Sequence, residues 1–106
     1  MSVVVMNVVQ AVEGRVEDFE EAFLTRERLL HQAEGFESFE LLRRDRDREY
    51  VVLTRWTSHE AFKAWVGSDL FRRSHREATG ARLAVNAQLR TYEVLDAEVA
   101  GDAVPA

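Results

Sequence analysis

Residues 2–12 read Ser-Val-Val-Val-Met-Asn-Val-Val-Gln-Ala-Val. Apolar side chains fill both the odd and the even positions of this run. Because successive residues of a β-strand point to opposite faces of a sheet, both faces of this strand are apolar. Such a run is typical of a strand in the middle of a sheet, so neighbouring strands are expected later in the chain.

Helical spacing follows the first strand. Gly14 marks a turn, and Gly35 is a natural helix end. Between them apolar residues recur with the period of an α-helix, which predicts a first helix within residues 16–33. The apolar positions are Val16, Phe19, Ala22, Phe23, Leu29, Leu30 and Ala33.

Three later segments have the character of strands. Residues 36–43 and 49–56 are two such runs, and the charged segment 44–48 between them is typical of a solvated hairpin turn. Residues 88–95 predict a last strand. The chain therefore contains enough strands for a four-stranded sheet.

A second helical region lies between the third and fourth strands. Thr57 is followed three residues later by Glu60, which is the pattern of a capping box at a helix start. Gly67 interrupts the region, and Ser68 can cap a second helical piece that reaches His75. The region is therefore predicted as two consecutive helical pieces.

The predicted order is β-α-β-β-α-β, the ferredoxin-like α+β arrangement. A chain of this length forms one domain, which we assign to residues 1–96, with a flexible tail at 97–106. In this fold the helices cover one face of the sheet, yet the first strand is apolar on both faces. We therefore expect a homodimer, a dimeric α+β barrel in which two sheets pack face to face.

Composition limits the classes of function. Of 106 residues, 46% are apolar, which is enough for a core, and no apolar run approaches the roughly 20 residues needed to span a bilayer. The chain has no cysteine, which excludes disulfides and thiolate metal sites. A net charge of −5 argues against nucleic acid as the main partner. We expect a cytoplasmic protein with neither a membrane nor a nucleic-acid partner.

Three polar residues occupy positions where the pattern favours apolar ones. Asn7 lies in the first strand among valines, where an unpartnered buried amide costs about 1–3 kcal/mol. His75 lies at the edge of an apolar helix stripe, and Arg26 continues the stripe of the first helix. Each has an ordinary explanation: an amide bonded within the sheet, a half-exposed imidazole, and an arginine whose charged end reaches solvent. The alternative is a binding site, in which Arg26 would pair with an anion such as a carboxylate.

Several other sites are less favoured by the sequence. Trp65 shares a helix face with apolar residues and is more typical of a core than of a cofactor site. No three histidines or carboxylates have metal-ligand spacing, and no glycine-rich phosphate loop is present. Ser74 and His75 are adjacent on a helix, so we expect their side chains to point in different directions and to form no nucleophile–base pair.

Two motifs give a family resemblance. Residues 54–65 read Thr-Arg-Trp-Thr-Ser-His-Glu-Ala-Phe-Lys-Ala-Trp, and residues 68–75 read Ser-Asp-Leu-Phe-Arg-Arg-Ser-His. With Phe23-Leu24-Thr25-Arg26, Glu34-Gly35-Phe36 and Asn7, they resemble the antibiotic biosynthesis monooxygenase superfamily. The first motif is common to that superfamily. The combination of Asn7, Trp65 and His75 resembles its IsdG-type heme-degrading branch.

The resemblance implies that heme is both cofactor and substrate. The porphyrin would be opened oxidatively with O2 and an external electron donor, supplied by an unidentified reductase, and iron would be released. His75 would be the axial ligand of the heme iron, Asn7 would donate a hydrogen bond to dioxygen on the other side, and Trp65 would distort the porphyrin. These three residues would be catalytic.

The resemblance also implies a heme pocket. Phe23 and Phe71 would line it, and Arg26 would lie near the heme propionates. A heme is an apolar plate with two carboxylates at one edge, so it needs an apolar cleft and one neutral imidazole. Members of the branch often carry an arginine where this chain has Ala22, so the resemblance implies the iron ligand but does not fix how the propionates are anchored.

Three alternatives remain open at this point. A cofactor-free monooxygenase of the same fold, acting on an aromatic compound or quinol, would use Asn7 and Trp65 but has no need of His75. A heme carrier or sensor would bind heme and leave it intact. A purely structural dimeric domain would use none of these residues.

Overall fold

The structure is a computed structural model, and it describes residues 1–76 and 83–101. In chain order its elements are β1 (Val3–Ala11), α1 (Val16–Leu24), a 3-10 turn (Leu30–Gln32), β2 (Phe36–Arg43), β3 (Glu49–Trp56), α2 (His59–Val66), α3 (Asp69–Arg76) and β4 (Ala84–Glu93). Of the predicted tail, 97–106, the structure describes only the part up to residue 101. Within the described ranges, no helix is both long enough and apolar enough to cross a membrane.

The four strands form one antiparallel sheet in the order β2-β3-β1-β4. The prediction that the first strand is central is confirmed, since β1 pairs with β3 on one side and β4 on the other. The ferredoxin-like α+β fold is confirmed with it. Asn7 lies in the middle row of the sheet, opposite Val52 of β3 and Leu89 of β4.

The odd-numbered residues of β1 face the helices. Their core consists of two groups of buried side chains on the same sheet face. The Trp56 cluster contains Val3, Val5, Leu29, Trp56 and Trp65. The Tyr50 cluster contains Val9, Ala11, Phe19 and Tyr50. Asn7 is the residue of β1 that lies between the two clusters.

The Tyr50 cluster is closed by a polar contact. The hydroxyl of buried Tyr50 donates a hydrogen bond to the Glu20 carboxylate, which also pairs with Arg43 at 3.2 Å. Burial first, and then the bond and charge of Glu20, raise the pKa of Tyr50 to about 12. The phenol is therefore protonated at neutral pH, and its hydrogen bond ties α1 to β3.

The even-numbered residues of β1 point to the opposite face, because side chains alternate along a strand. Val4, Met6 and Val8 lie there, all half-buried. Their partners across the β1–β3 ladder include Leu53 and Val51. None of these five residues belongs to either core cluster on the helix side. This open face is therefore apolar along its centre.

The first helix is shorter than predicted. It ends at Leu24, and the chain makes only a 3-10 turn before β2, so a helix reaching residue 33 was wrong. Side chains bond to the carbonyls at its end: Thr25 Oγ1 donates to the Glu21 carbonyl at 2.8 Å, and Arg26 donates to that of Phe23 at 2.6 Å. Such local bonds favour termination, and the turn then buries Leu29 in the Trp56 cluster.

Two other boundaries differ by a few residues. The N-cap of α2 is Ser58 and not Thr57, since Ser58 Oγ accepts from the backbone N–H of Ala61 at 3.1 Å. The last strand begins at Ala84 and ends at Glu93, whereas residues 88–95 were predicted. The cap at Ser68 is confirmed, because its Oγ accepts from the N–H of Phe71 at 3.1 Å.

Candidate active site

Asn7 is a polar residue on the apolar face of the central strand. It is half-buried and lies between the Trp56 and Tyr50 clusters. Among the described residues, its side-chain amide has no hydrogen-bond partner, although the side chains of the nearby Thr54 and Trp56 are bonded to each other at 2.9 Å. Its NH2 group is therefore available to donate to a ligand.

Trp65, Phe71 and His75 form a continuous aromatic contact. Trp65 of α2 is only 8% exposed and meets Phe71 of α3 edge-on, with ring centroids 5.8 Å apart. Phe71 in turn stacks on the imidazole of His75 at 3.9 Å. The indole N–H of Trp65 has no hydrogen-bond partner in the described part of the chain. Every side-chain nitrogen of the described residues that is fully buried has a hydrogen-bond partner. The indole nitrogen of Trp65 has none, so it must be accessible to solvent.

His75 is exposed, and its two ring nitrogens have different surroundings. Nδ1 lies 2.9 Å from the backbone carbonyl oxygen of Phe71, one helical turn earlier. A carbonyl only accepts hydrogen bonds, so we assign the proton of the neutral imidazole to Nδ1, with Ser74 Oγ 3.0 Å from the same nitrogen. Nε2 then keeps its lone pair, which is the arrangement found in histidines that bind metals.

Arg26 lies just after α1, in the segment that leads to the 3-10 turn. Its guanidinium carbon is 4.2 Å from the ring centroid of Phe39 and 5.9 Å from that of Phe23. Partial burial, and then repulsion by Arg28, lower the pKa of Arg26. No carboxylate of a described residue pairs with it. A carboxylate from a ligand would supply the missing countercharge.

The other predicted site residues thus fall into two groups, with Asn7 between them. Trp65, Phe71 and His75 make the first group, and Phe23 and Arg26 make the second. Asn7 lies on the sheet between the clusters to which the two groups attach. The arrangement combines apolar walls with one amide donor, one imidazole with a free nitrogen, and one cation without a carboxylate partner.

Two contacts were not foreseen from the sequence. Phe39, which supports Arg26, is a residue of β2 with no motif to single it out. Ser74 Oγ lies 3.0 Å from His75 Nδ1, so the expectation that these side chains point in different directions was wrong. The structure still gives no nucleophile and base, because the Ser74 hydroxyl donates its proton to the Phe71 carbonyl at 2.9 Å.

Comparison with known proteins places this arrangement in a family. The family model for antibiotic biosynthesis monooxygenases matches residues 2–77. A heme oxygenase (mycobilin-producing) from Mycobacterium tuberculosis is 35% identical over 89 residues, which cover 78% of this chain and 85% of that protein. The resemblance to the heme-degrading branch is therefore confirmed.

Solved structures show the same fold with two kinds of chemistry. The heme-degrader MhuD from Mycobacterium tuberculosis, solved with two hemes bound in its active site, superposes with a TM-score of 0.76 at 31% identity, over 92% of this chain and 99% of that chain. SnoaB, a cofactor-independent oxygenase from Streptomyces nogalater, superposes with a TM-score of 0.72 at 26% identity, over 91% and 95%. Since the family model spans most of the residues and similar proteins superpose along nearly the whole chain, this protein belongs to the antibiotic biosynthesis monooxygenase family.

Proposed function

We propose that this protein is a heme-degrading monooxygenase that binds heme through His75. The observation that carries the proposal is the imidazole itself. Its Nδ1 is held by the Phe71 carbonyl at 2.9 Å, so Nε2 is the nitrogen left for iron. The identity with the mycobilin-producing heme oxygenase supports the same activity.

The residues around His75 fit the shape and charge of a heme. Phe71 and Trp65 offer an apolar surface next to the imidazole, as a porphyrin face requires. At the other end, Arg26 is a cation whose charge no described carboxylate balances, and we assign it to a heme propionate. Phe23 lies beneath its guanidinium and would line the pocket. With Ala22 in place of a second arginine, the propionates rely more on Arg26.

Asn7 and Trp65 have separate roles in this proposal. Bound heme, reduced by an external electron donor, supplies the chemistry with O2 by which its own ring is opened. Asn7 would donate its side-chain N–H to dioxygen, and the indole of Trp65, packed between Trp56 and Phe71, would press against the porphyrin. We assign electron supply to an unidentified reductase and the location to the cytoplasm.

A cofactor-free oxygenase is the second candidate. It is favoured by the superposition with SnoaB, a cofactor-independent enzyme of the same fold. That chemistry would use Asn7 and the apolar walls for an aromatic substrate, and it would leave the free nitrogen of His75 without a function. A heme carrier would use His75 but would not consume the ligand.

Adding hemin and then ascorbate in air separates these functions. We expect a Soret spectrum typical of a histidine-ligated heme, followed by loss of the Soret band as the porphyrin opens. The titration should reach about one equivalent of hemin per chain, because His75 is the one proposed iron ligand, and binding of a second equivalent would match MhuD, which holds two hemes in its active site. A Soret band that persists under ascorbate and air would indicate a carrier. No binding at micromolar hemin would favour the cofactor-free reading.

We also propose that the protein is a homodimer joined through the open sheet face. The centre of that face is apolar, with Val4, Met6, Val8, Val51 and Leu53, and none of these belongs to the core on the helix side. In a two-fold symmetric dimer, each copy would cover this apolar patch of its partner with its own identical patch.

Light scattering after gel filtration tests the dimer. At micromolar concentration we expect twice the mass of the chain for the wild-type protein. Leu53→Arg should give monomers, because it places a charge at the centre of the apolar face. Leu24→Arg is the matched control, since Leu24 is 69% exposed on the helix layer, and it should remain dimeric. A monomeric wild-type protein would contradict the proposal.

A further inference from the structure

The helix that carries His75 is anchored unevenly. Leu70 and Phe71, near its start, pack against the Trp56 cluster. Beyond them Ser74 is half-buried and, among the described residues, bonds only within α3, while Arg72, Arg73 and His75 are exposed. Within the described part of the chain, the end of α3 with the proposed iron ligand therefore has little apolar contact to hold it in place.

One ion pair compensates for this. Arg73 Nη2 lies 2.5 Å from Glu27 Oε1, a residue of the loop between α1 and the 3-10 turn. Among the described residues, it is the one ion pair that joins α3 to another part of the chain. The second pair on α3, between Arg72 and Asp69, lies within the helix and cannot fix its position.

The position of Arg73 on the helix gives the pair its effect. With 3.6 residues per turn, positions two apart are separated by roughly 200° around the axis. Arg73 and His75 therefore lie on opposite flanks of α3, with Leu70 and Phe71 packed against the core. A bond on one flank resists rotation of the helix about its axis, and that rotation would displace the imidazole on the other flank.

Glu27 is also the immediate neighbour of Arg26. The same ion pair thus connects the segment with the proposed propionate partner to the helix with the proposed iron ligand. We propose that the Glu27–Arg73 ion pair positions His75 relative to Arg26, so that one ligand can meet both residues. This inference rests on the proposed function. Glu27 and Arg73 are positioning residues that act through His75 and Arg26.

The expected effect is small, because the pair is exposed. The side chains of Arg73 and Glu27 are 56% and 38% exposed, and exposed ion pairs change an equilibrium by about two- to fivefold. Loss of the pair should therefore leave the protein folded. Loss of the pair should make α3 less rigid and lower the fraction of heme ligated by histidine, but α3 should still form and heme should still bind.

The variants Glu27→Gln, Arg73→Gln and the double variant test the inference, with Arg72→Gln as the matched control. In the ligand-free protein, we expect hydrogen exchange of the amides in α3 to rise about two- to fivefold in the first three and to stay unchanged in the control. With hemin, the same three variants should release heme faster by a similar factor and show a smaller fraction of histidine-ligated spectrum. The double variant should equal either single variant, and Arg73→Lys should retain most of the wild-type behaviour.

The two proposals fail in different ways. If the wild-type protein shows no histidine-ligated heme, the proposed function fails. Amide hydrogen exchange of the ligand-free variants then still tests whether the ion pair holds α3 in place. If the wild-type heme is histidine-ligated but Glu27→Gln matches Arg72→Gln in exchange, heme release and spectrum, the positioning role is overturned. Effects of the two single variants that add in the double variant would show that the residues act independently, which also overturns it.

Discussion

His75→Ala should lower the affinity for hemin on the order of 10²-fold and remove the histidine-ligated spectrum. Replacing only the outer partners of a metal ligand costs about 10- to 100-fold, so loss of the ligand itself should cost at least the upper end of that range. Hemin titration followed through the Soret band, together with electron paramagnetic resonance of the ferric protein, measures both effects. Stability should change little, because His75 is exposed.

His31→Ala is the control for this variant. His31 is also exposed, but it lies in the 3-10 turn, and its replacement should leave hemin binding unchanged. Free imidazole added to His75→Ala should restore part of the ligated spectrum by occupying the vacated position. Wild-type affinity and turnover in His75→Ala would refute His75 as the iron ligand.

Asn7→Ala should slow heme degradation on the order of 10²-fold while changing hemin affinity little. The half-buried amide has no partner among the described residues, so in the proposed reaction its N–H is free to stabilise charge that develops on the reacting oxygen. A fixed donor in a site shielded from water contributes most at that point, and removal of one such donor costs about 10²–10³-fold in rate. Single-turnover loss of the Soret band under ascorbate and air measures the rate, and a hemin titration measures the affinity.

Asn7→Asp distinguishes a donor from a space-filling residue. Aspartate has nearly the same shape, but as a carboxylate it has no N–H to donate. It should be impaired at least as strongly as Asn7→Ala if the donor matters. If Asn7→Asp or Asn7→Ala degrades heme at the wild-type rate, Asn7 serves only the packing of the sheet.

The fold could be predicted because its central strand is unusual. A run such as Val3–Ala11, apolar on both faces, fits only between two other strands, and that placement fixes much of the topology. The cap at Ser68 was also visible, because it depends on residues three apart in the sequence. The end of α1 could not be predicted, because the helical spacing of apolar residues continues past Leu24, whereas the chain turns there and buries Leu29.

The sequence supplied candidate site residues through the family resemblance, but not their geometry. The resemblance named Asn7, Trp65 and His75, yet the sequence does not indicate which nitrogen of His75 is free. That depends on a contact between the side chain and the Phe71 carbonyl. The Glu27–Arg73 pair joins positions 46 residues apart through two exposed side chains, so neither periodicity nor a motif indicates it.

The Trp56–Trp65 pair has an optical consequence. The chain has only two tryptophans, and their ring centroids lie 6.2 Å apart, close enough for excitation energy to pass between them. Trp56 is fully buried, so its emission comes from a dry and rigid environment. A porphyrin in contact with Trp65 would absorb that energy and quench the fluorescence of both rings. Quenching therefore reports occupancy of the proposed heme site whichever atom binds the iron, and it applies equally to variants that have lost His75.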